Sequence, residues 1–395
     1  MKLIQTVAIA VLPLALSACA LAPPAQVDLP ATPQWHAPLP HNGKLTDLAQ
    51  WWRQQGDPQL AQLIESAQVA SPTIAAAASR IAQSRTQRAA ALGALLPSLD
   101  AVASVSRSNQ QSTLPAGTTS QLALQSGWEI DLFGGRRAER DAASARLAGA
   151  SAGWHEARVA VAAEVGNLYY SLRACEQLLT VAKQDATSRA DTARLTQLTA
   201  DAGFQAPATA ALARASAAEG NSRATLQQAL CDIDVKMLVA MTAIDEPALR
   251  TRLASSAVAV PPAIAIASLP AQLLAQRPDV FAAEREVAAA SADVGSARAD
   301  RYPRLSLSGS VGVGNFRAGG ESISTDTWTI GPLAVSLPIF DAGRRAANAD
   351  AAMARYDEAV IAYRASARRA VSEVEQALVN LHSSTARSGD AQVSL

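Results

Sequence analysis

The chain has 395 residues, room for two or three ordinary domains, and its residues are 49% hydrophobic but only 4% aromatic. Apolar content made mostly of Ala, Leu and Val suits closely spaced helices better than an aromatic-rich globular core. Lys and Arg (34) balance Asp and Glu (34), so there is no basic excess for nucleic acid; the four His, at 36, 41, 155 and 382, lack zinc-ligand spacing.

The N-terminus carries the sharpest short signal. Lys2 and the apolar run 3–16 read as the n- and h-regions of a signal peptide, too short to span a membrane. The run ends in Leu16-Ser17-Ala18-Cys19, which resembles a bacterial lipobox. Residues 1–18 are then a lipoprotein signal peptide, and Cys19 receives diacylglycerol and an N-acyl chain; an ordinary cleavage site beside a bystander cysteine is the alternative. Ala20 is not the Asp that resembles an inner-membrane retention signal. Residues 19–50 hold Pro23, Pro24, Pro30, Pro33, Pro38 and Pro40, an extended, semi-rigid tether. No later stretch approaches the ~20 apolar residues of a membrane helix.

From Trp51-Trp52, through Asp57, Pro58, Leu60, Leu63 and Ile64, the pattern is helical until Pro97. The period then changes. Leu122, Leu124, Trp128, Ile130 and Leu132 alternate with Gln121, Gln125, Glu129 and Asp131, which predicts a strand over 120–132. Its partner lies over 98–109, beyond a loop holding Pro115 and Gly117. Ten residues is about what a tilted strand needs to cross a bilayer. Next, 136–200 holds no proline and predicts one helix; at 1.5 Å per residue its length is about 96 Å, more than a compact domain accommodates. Val165, Leu168, Leu172, Cys175 and Leu179 step by 3 and 4, a coiled-coil seam. Asp201-Ala202-Gly203-Phe204 breaks it, and Pro207 starts a returning helix over 207–243.

The programme then repeats. After a connector over 246–272, a helix is predicted over 278–301, strands over 304–314 and 328–340 with Gly331-Pro332 as a bulge, and a long helix over 344–395. Pro97-Ser98-Leu99 returns as Pro303-Arg304-Leu305, and Phe133-Gly134-Gly135-Arg136-Arg137 as Phe340-Asp341-Ala342-Gly343-Arg344-Arg345. Glu164, Val165 and Leu172 return 209 positions later as Glu373, Val374 and Leu381. The repeats thus cover 51–245 and 273–395. Gly203 moved by that offset falls beyond Leu395, so the second repeat is expected to lack its returning helix.

Four strands cannot close a barrel, and hydrocarbon does not tolerate open sheet edges. Several copies must share one barrel: twelve strands from three, eight from two. The residues also identify a family. Leu273-Leu274-Ala275-Gln276-Arg277-Pro278-Asp279-Val280, then Ala283-Glu284 and Ala297-Arg298-Ala299-Asp300-Arg301-Tyr302-Pro303, the Trp51-Trp52 start and the two Phe-to-Gly-Arg junctions resemble the TolC-like outer-membrane efflux factors of the lipoprotein (NodT-type) branch. The resemblance implies a mainly α protein with membrane β: a duplicated helix, β-hairpin and long-helix protomer, building a homotrimeric α-helical barrel continuous with a shared twelve-stranded transmembrane barrel. It implies a passive exit duct in the outer membrane of a Gram-negative bacterium, reaching into the periplasm and in contact with outer-membrane lipids. A periplasmic adaptor and an inner-membrane RND-type pump would be its partners, the adaptor meeting the tip at Asp201, Gly203 and Phe204. No cofactor beyond the Cys19 lipid is expected.

Cys175 and Cys231 are equidistant from Gly203, so antiparallel helices would bring them level; either a disulfide or two small buried seam residues fits. Trp128 and Trp328 suit an aromatic girdle. Arg136 and Arg344, after the strands, either anchor at the membrane interface or line the channel. Asp201 and Glu219 suit a cation-sensitive gate or a solvated tip. Gly149 and Gly153 read as close packing, and Arg277-Pro278-Asp279 as a helix start. There is no His-Glu-x-x-His, Gly-x-Ser-x-Gly or phosphate loop, so no catalytic residue is assigned. The competing readings are a periplasmic coiled-coil or adhesin-like structural lipoprotein, and a truncated efflux factor without function.

Overall fold

The computed structural model of the chain describes residues 51–54, 56–109, 116–255 and 277–393. The signal peptide, Cys19, the tether, most of the 246–272 connector and Leu273-Leu274-Ala275-Gln276 lie outside those residues. In chain order the elements are α1 (Trp51–Gln54), α2 (Pro58–Ala70), α3 (Pro72–Gly93), β1 (Ser98–Ser108), β2 (Gly117–Ile130), α4 (Gly135–Asp201), α5 (Pro207–Thr242), α6 (Glu246–Ser255), α7 (Pro278–Ala299), β3 (Arg304–Ala318), β4 (Glu321–Ser336) and α8 (Arg344–Val393). They fall into two compact units.

One unit takes its described residues from Ser79–Gly153 and Pro270–Ala377. Its sheet has the order β1-β2-β3-β4, antiparallel throughout, so hairpins from distant parts of the chain join edge to edge. β2 pairs β3 from Thr118↔Arg317 to Ile130↔Leu305 without interruption. Between β3 and β4 the register shifts once, at Leu307/Gly309, where Gly331-Pro332 supplies the extra residue. The helical part closes on Val280, Val287, Ala290, Ala359, Val360, Tyr363 and Ala370, which join α7 to α8. Arg277 ties the same pair together, donating to Asp279 at 2.8 Å and to Glu373 at 2.7 Å. α4 and α7 approach through small residues; a Cβ at Gly135 would stand 3.1 Å from that of Ala299.

The second unit takes its described residues from His36–Ala78, Trp154–Leu269 and Leu378–Leu395. α2 begins at Asp57, whose carboxylate accepts the Gln59 and Leu60 N–H groups, with Pro58 at the first helical position. Leu60, Leu63, Ile64 and Ala67 follow at helical spacing and are all buried. Burying each Leu or Ile contributes roughly 1.5–3 kcal/mol, and here they meet Val161, Val165, Tyr169 and Leu172 of α4 and Val235 and Leu238 of α5. Tyr169 donates to the second oxygen of buried Asp57 at 2.6 Å. A Cβ on Gly166 would come within 2.7 Å of the Trp52 ring, so glycine is what lets α1 lie against α4.

Several boundaries differ from the sequence reading, β3 among them, which runs Arg304–Ala318 rather than 304–314. The helix expected from Trp51 to Pro97 is three helices. Gly56, at φ +76°, breaks it once, and Ser71, at ψ 119°, breaks it again before Pro72. The first ten residues of the connector are helix α6, because Leu249 and Leu253 are buried in the second unit's core. The fourth strand runs Glu321–Ser336 rather than 328–340. Its Ser- and Thr-rich start reads as loop but pairs with β3 as far as Ala318↔Glu321.

Candidate functional site

The sheet is where chemistry and geometry meet. Opposed residues in antiparallel strands share a face, so the register sorts every side chain. On one face lie Leu99, Leu122, Leu124, Trp128, Leu307, Val311, Val313, Ile330, Leu333 and Val335, with Ser126 and, opposite Val313, Asp326 among them; on the other lie Asp100, Gln121, Gln125, Ser306, Ser310, Thr325, Thr327 and Thr329, with Val102, Phe316 and Ile323 among them. The apolar face is bare: Trp328 is 73% exposed and Ile330 86%. It runs from Leu305 to Val313 along β3, which at about 3.3 Å per residue is about 26 Å of strand. β1 and β4 are both edge strands within the chain. A two-faced sheet with a bare apolar side and two open edges is unfinished in water and unfinished in lipid.

Both hairpins feed long helices, and an Asp caps each entry. Asp131 accepts the Arg136 N–H at 3.2 Å and the Arg137 N–H at 3.0 Å, and Asp341 accepts the Gly343 and Arg345 N–H groups, both at 3.1 Å. Sequence reading passed over these two carboxylates; the signal that finds them is an Asp shortly before Gly-Arg-Arg at a helix start. Desolvation raises the Asp341 carboxyl, but the Arg345 backbone N–H and guanidinium and the Gly343 N–H together hold it below the usual range.

The arginines named from the sequence part company. Arg136 donates to Glu129 at 2.9 Å and to Glu139 at 3.1 Å, and its pKa is raised by those carboxylates, Glu129 first, against the cost of burial. Glu129 stands on the polar face, so Arg136 is held toward that side. Arg344 is exposed, and Arg345 beside it makes the ion pair with Asp341 at 3.1 Å.

Trp128 and Trp328 share the apolar face but stand at different levels of the sheet. Trp128 lies opposite Leu307, and Trp328 opposite Val311, four residues along β3 and so about 13 Å apart. Trp128 donates its indole N–H to the Leu95 carbonyl at 3.0 Å, beside the helices, while Trp328 stands within the apolar band.

In the second unit α4 and α5 form an antiparallel hairpin. Its turn is a Schellman motif: the Phe204 N–H bonds the Thr199 carbonyl at 2.9 Å and the Gly203 N–H that of Ala200 at 3.0 Å. Gly203 takes φ +76°, where a Cβ would be strained. Phe204 is 83% exposed. Asp201 accepts from Gln197 at 2.7 Å, and the Gln197 carbonyl accepts from Arg214 at 2.6 Å, a chain across the turn. Further along, Cys175 and Cys231 lie with Cα atoms 5.6 Å apart in a disulfide. Among the described residues no group of three His, Cys, Asp or Glu is placed to hold a metal, and no helix is long and apolar enough to cross a membrane.

These features define a class: a mainly helical chain carrying two paired hairpins in one two-faced sheet. The chain belongs to the outer membrane efflux protein family, whose profile matches residues 63–242 and 269–389. It is 31% identical over 388 residues to the outer membrane protein OprJ of Pseudomonas aeruginosa, spanning 92% of this chain and 78% of that one. It is 28% identical to the pyoverdine export outer membrane protein OpmQ of the same species, over 92% of this chain and 79% of OpmQ. The outer-membrane channel OprN superposes with a TM-score of 0.81 at 26% identity, covering 92% of this chain and 84% of OprN.

Proposed function

We propose that this chain is the outer-membrane exit duct of a tripartite efflux system. Three copies would share one barrel of twelve strands, four from each, with the Leu122/Val311 face toward lipid and the Gln125/Ser310 face toward a water-filled lumen. The observation that carries the reading is the open four-stranded sheet, one face mainly apolar and the other mainly polar: it satisfies its edges only by pairing with further strands. A coiled-coil or adhesin-like lipoprotein has no use for such a sheet.

The duct itself performs no covalent step. A periplasmic adaptor and an inner-membrane pump would supply coupling and energy, and the α4–α5 turn, with Asp201, Gly203 and Phe204 at its end, offers the surface for the adaptor. The cargo class follows that of the relatives, small molecules moved outward, with selection resting on the pump because a wide polar lumen discriminates little. Lipid on Cys19 would anchor the mature N-terminus, Pro-rich residues serving as the tether.

Purified protein in detergent should run as a trimer and open stable conducting pores in planar bilayers. A monomer that never conducts refutes the duct. Replacing Cys19 with Ser should abolish labelling by a fatty-acid analogue; retained labelling removes the anchor from the account.

A further inference from the structure

Beyond the band of apolar side chains, the lipid-suited face changes character. The register continues it from Val313 through Asn315 to Arg317, and across the sheet Arg107, Thr118, Arg317 and Ser322 stand at one level on that same face. Arg107 and Arg317 therefore flank Thr118 from the two neighbouring strands, about 10 Å apart at the backbone, a gap that two extended guanidinium side chains can close. Both are exposed. They border a cleft of about 470 Å³ that also takes in Ala116, Ala318, Gly319 and Gly320, so backbone without bulky side chains forms its floor. The Arg317 Nε–H donates to the Ser322 hydroxyl at 3.4 Å, which leaves its two terminal amines for a ligand. Glu321 borders the cleft too, but it opposes Ala318 and belongs to the other face of the sheet.

We propose that Arg107 and Arg317 form a binding site for a phosphate group carried on a lipid of the outer leaflet, such as the phosphorylated disaccharide of lipid A. The inference rests on the duct reading, which turns this face to the membrane and the hairpin ends away from the periplasm. Arg317 lies four residues past Val313, about 13 Å along the strand and about 9 Å along the normal of a barrel tilted by ~45°. That height is the headgroup layer, a few ångströms above hydrocarbon. Guanidinium groups there meet phosphate in bidentate fashion, while the apolar residues below on the same face accept the lipid's chains. Along β2 and β3 one lipid thus finds its charge and its tails on one strip, with the Asp326 carboxylate beside it on β4 opposite Val313.

The test uses the full chain in phosphatidylcholine vesicles doped with fluorescent diphosphoryl lipid A or with its dephosphorylated form. Energy transfer from the protein's tryptophans reports lipids enriched at its surface. Wild type should concentrate the diphosphoryl form, and inorganic phosphate in the buffer should compete only weakly, since the lipid's tails add affinity. Arg107→Gln and Arg317→Gln should each lower the enrichment roughly fivefold, and Arg140→Gln, a helix arginine outside the strip, should leave it unchanged. Equal enrichment of the two lipids by a wild-type protein that still conducts overturns the site and spares the duct. Wild type that fails to insert overturns both. Full displacement by inorganic phosphate would show a free-anion site and overturn the lipid assignment.

Discussion

Placing one arginine on either side of β2 tests which face meets lipid. Leu124 lies opposite Val311 and Ala101, one register step from the middle of the apolar band, whereas Gln125 lies opposite Ser310 and Asp100 on the other face. An arginine near the midplane on the lipid side of a membrane barrel costs about 2–4 kcal/mol, so Leu124→Arg should cost a trimer about three times that. Gln125→Arg places the same charge 3.3 Å further along the strand, in water and directly across from the Asp100 carboxylate, a cross-strand pair worth about 0.2–1 kcal/mol in its favour. The assay is the yield of heat-resistant trimer on folding into vesicles across a urea series. Leu124→Arg should shift the midpoint to markedly lower urea while Gln125→Arg stays near wild type. Equal damage from both, or more from Gln125→Arg, would refute the assignment of faces.

The second unit offers further checks. Reducing the Cys175–Cys231 bond, which closes a separation of 56 residues, removes up to about 4 kcal/mol on the chain-entropy estimate; the thermal midpoint should fall on adding a reductant and should not respond in Cys231→Ala. Tyr169→Phe deletes the hydrogen bond to buried Asp57 and should destabilise by about 1.5–3 kcal/mol, read by denaturant unfolding of the helical signal. In the first unit, burial raises the Asp279 carboxyl, but the hydrogen bond and charge of Arg277 together with the backbone N–H groups of Val280 and Asp279 outweigh it and leave its pKa depressed. A depressed carboxyl contributes stability that is complete above the ordinary value near 4 and is lost as pH falls below it through the folded-state pKa. The melting temperature should therefore drop below about pH 4 in wild type, and Asp279→Asn should flatten that part of the profile.

Much of the architecture could be read before any coordinates, for definite reasons. Alternation at Leu122, Leu124, Trp128 and Ile130 marks β2 because each face of that strand has a different solvent. The absence of proline from 136 to 200 marks α4, and the 209-residue offset marks the duplication. What stayed hidden depends on pairing. Whether Trp128 and Trp328 are level depends on the register of β3 against both neighbours, which no single strand encodes. The strand beginning at Glu321 is hidden because Ser and Thr on its outer turns carry no alternation. The Ser71-Pro72 break was legible and outweighed by the apolar spacing on either side of it. Asp131 and Asp341 escaped because they sit at different distances from their Arg pairs, six residues before Arg137 and four before Arg345.

The central claim is that β1 of one copy pairs with β4 of the next. Cysteines placed singly along the outer edge of β1 and singly along that of β4, oxidised in the membrane-embedded protein, read this out on a denaturing gel. A closed ring of three gives covalent dimers and trimers, confined to β1–β4 combinations, and nothing larger. Cross-links formed only within a chain, or a ladder extending past trimer, would contradict the account.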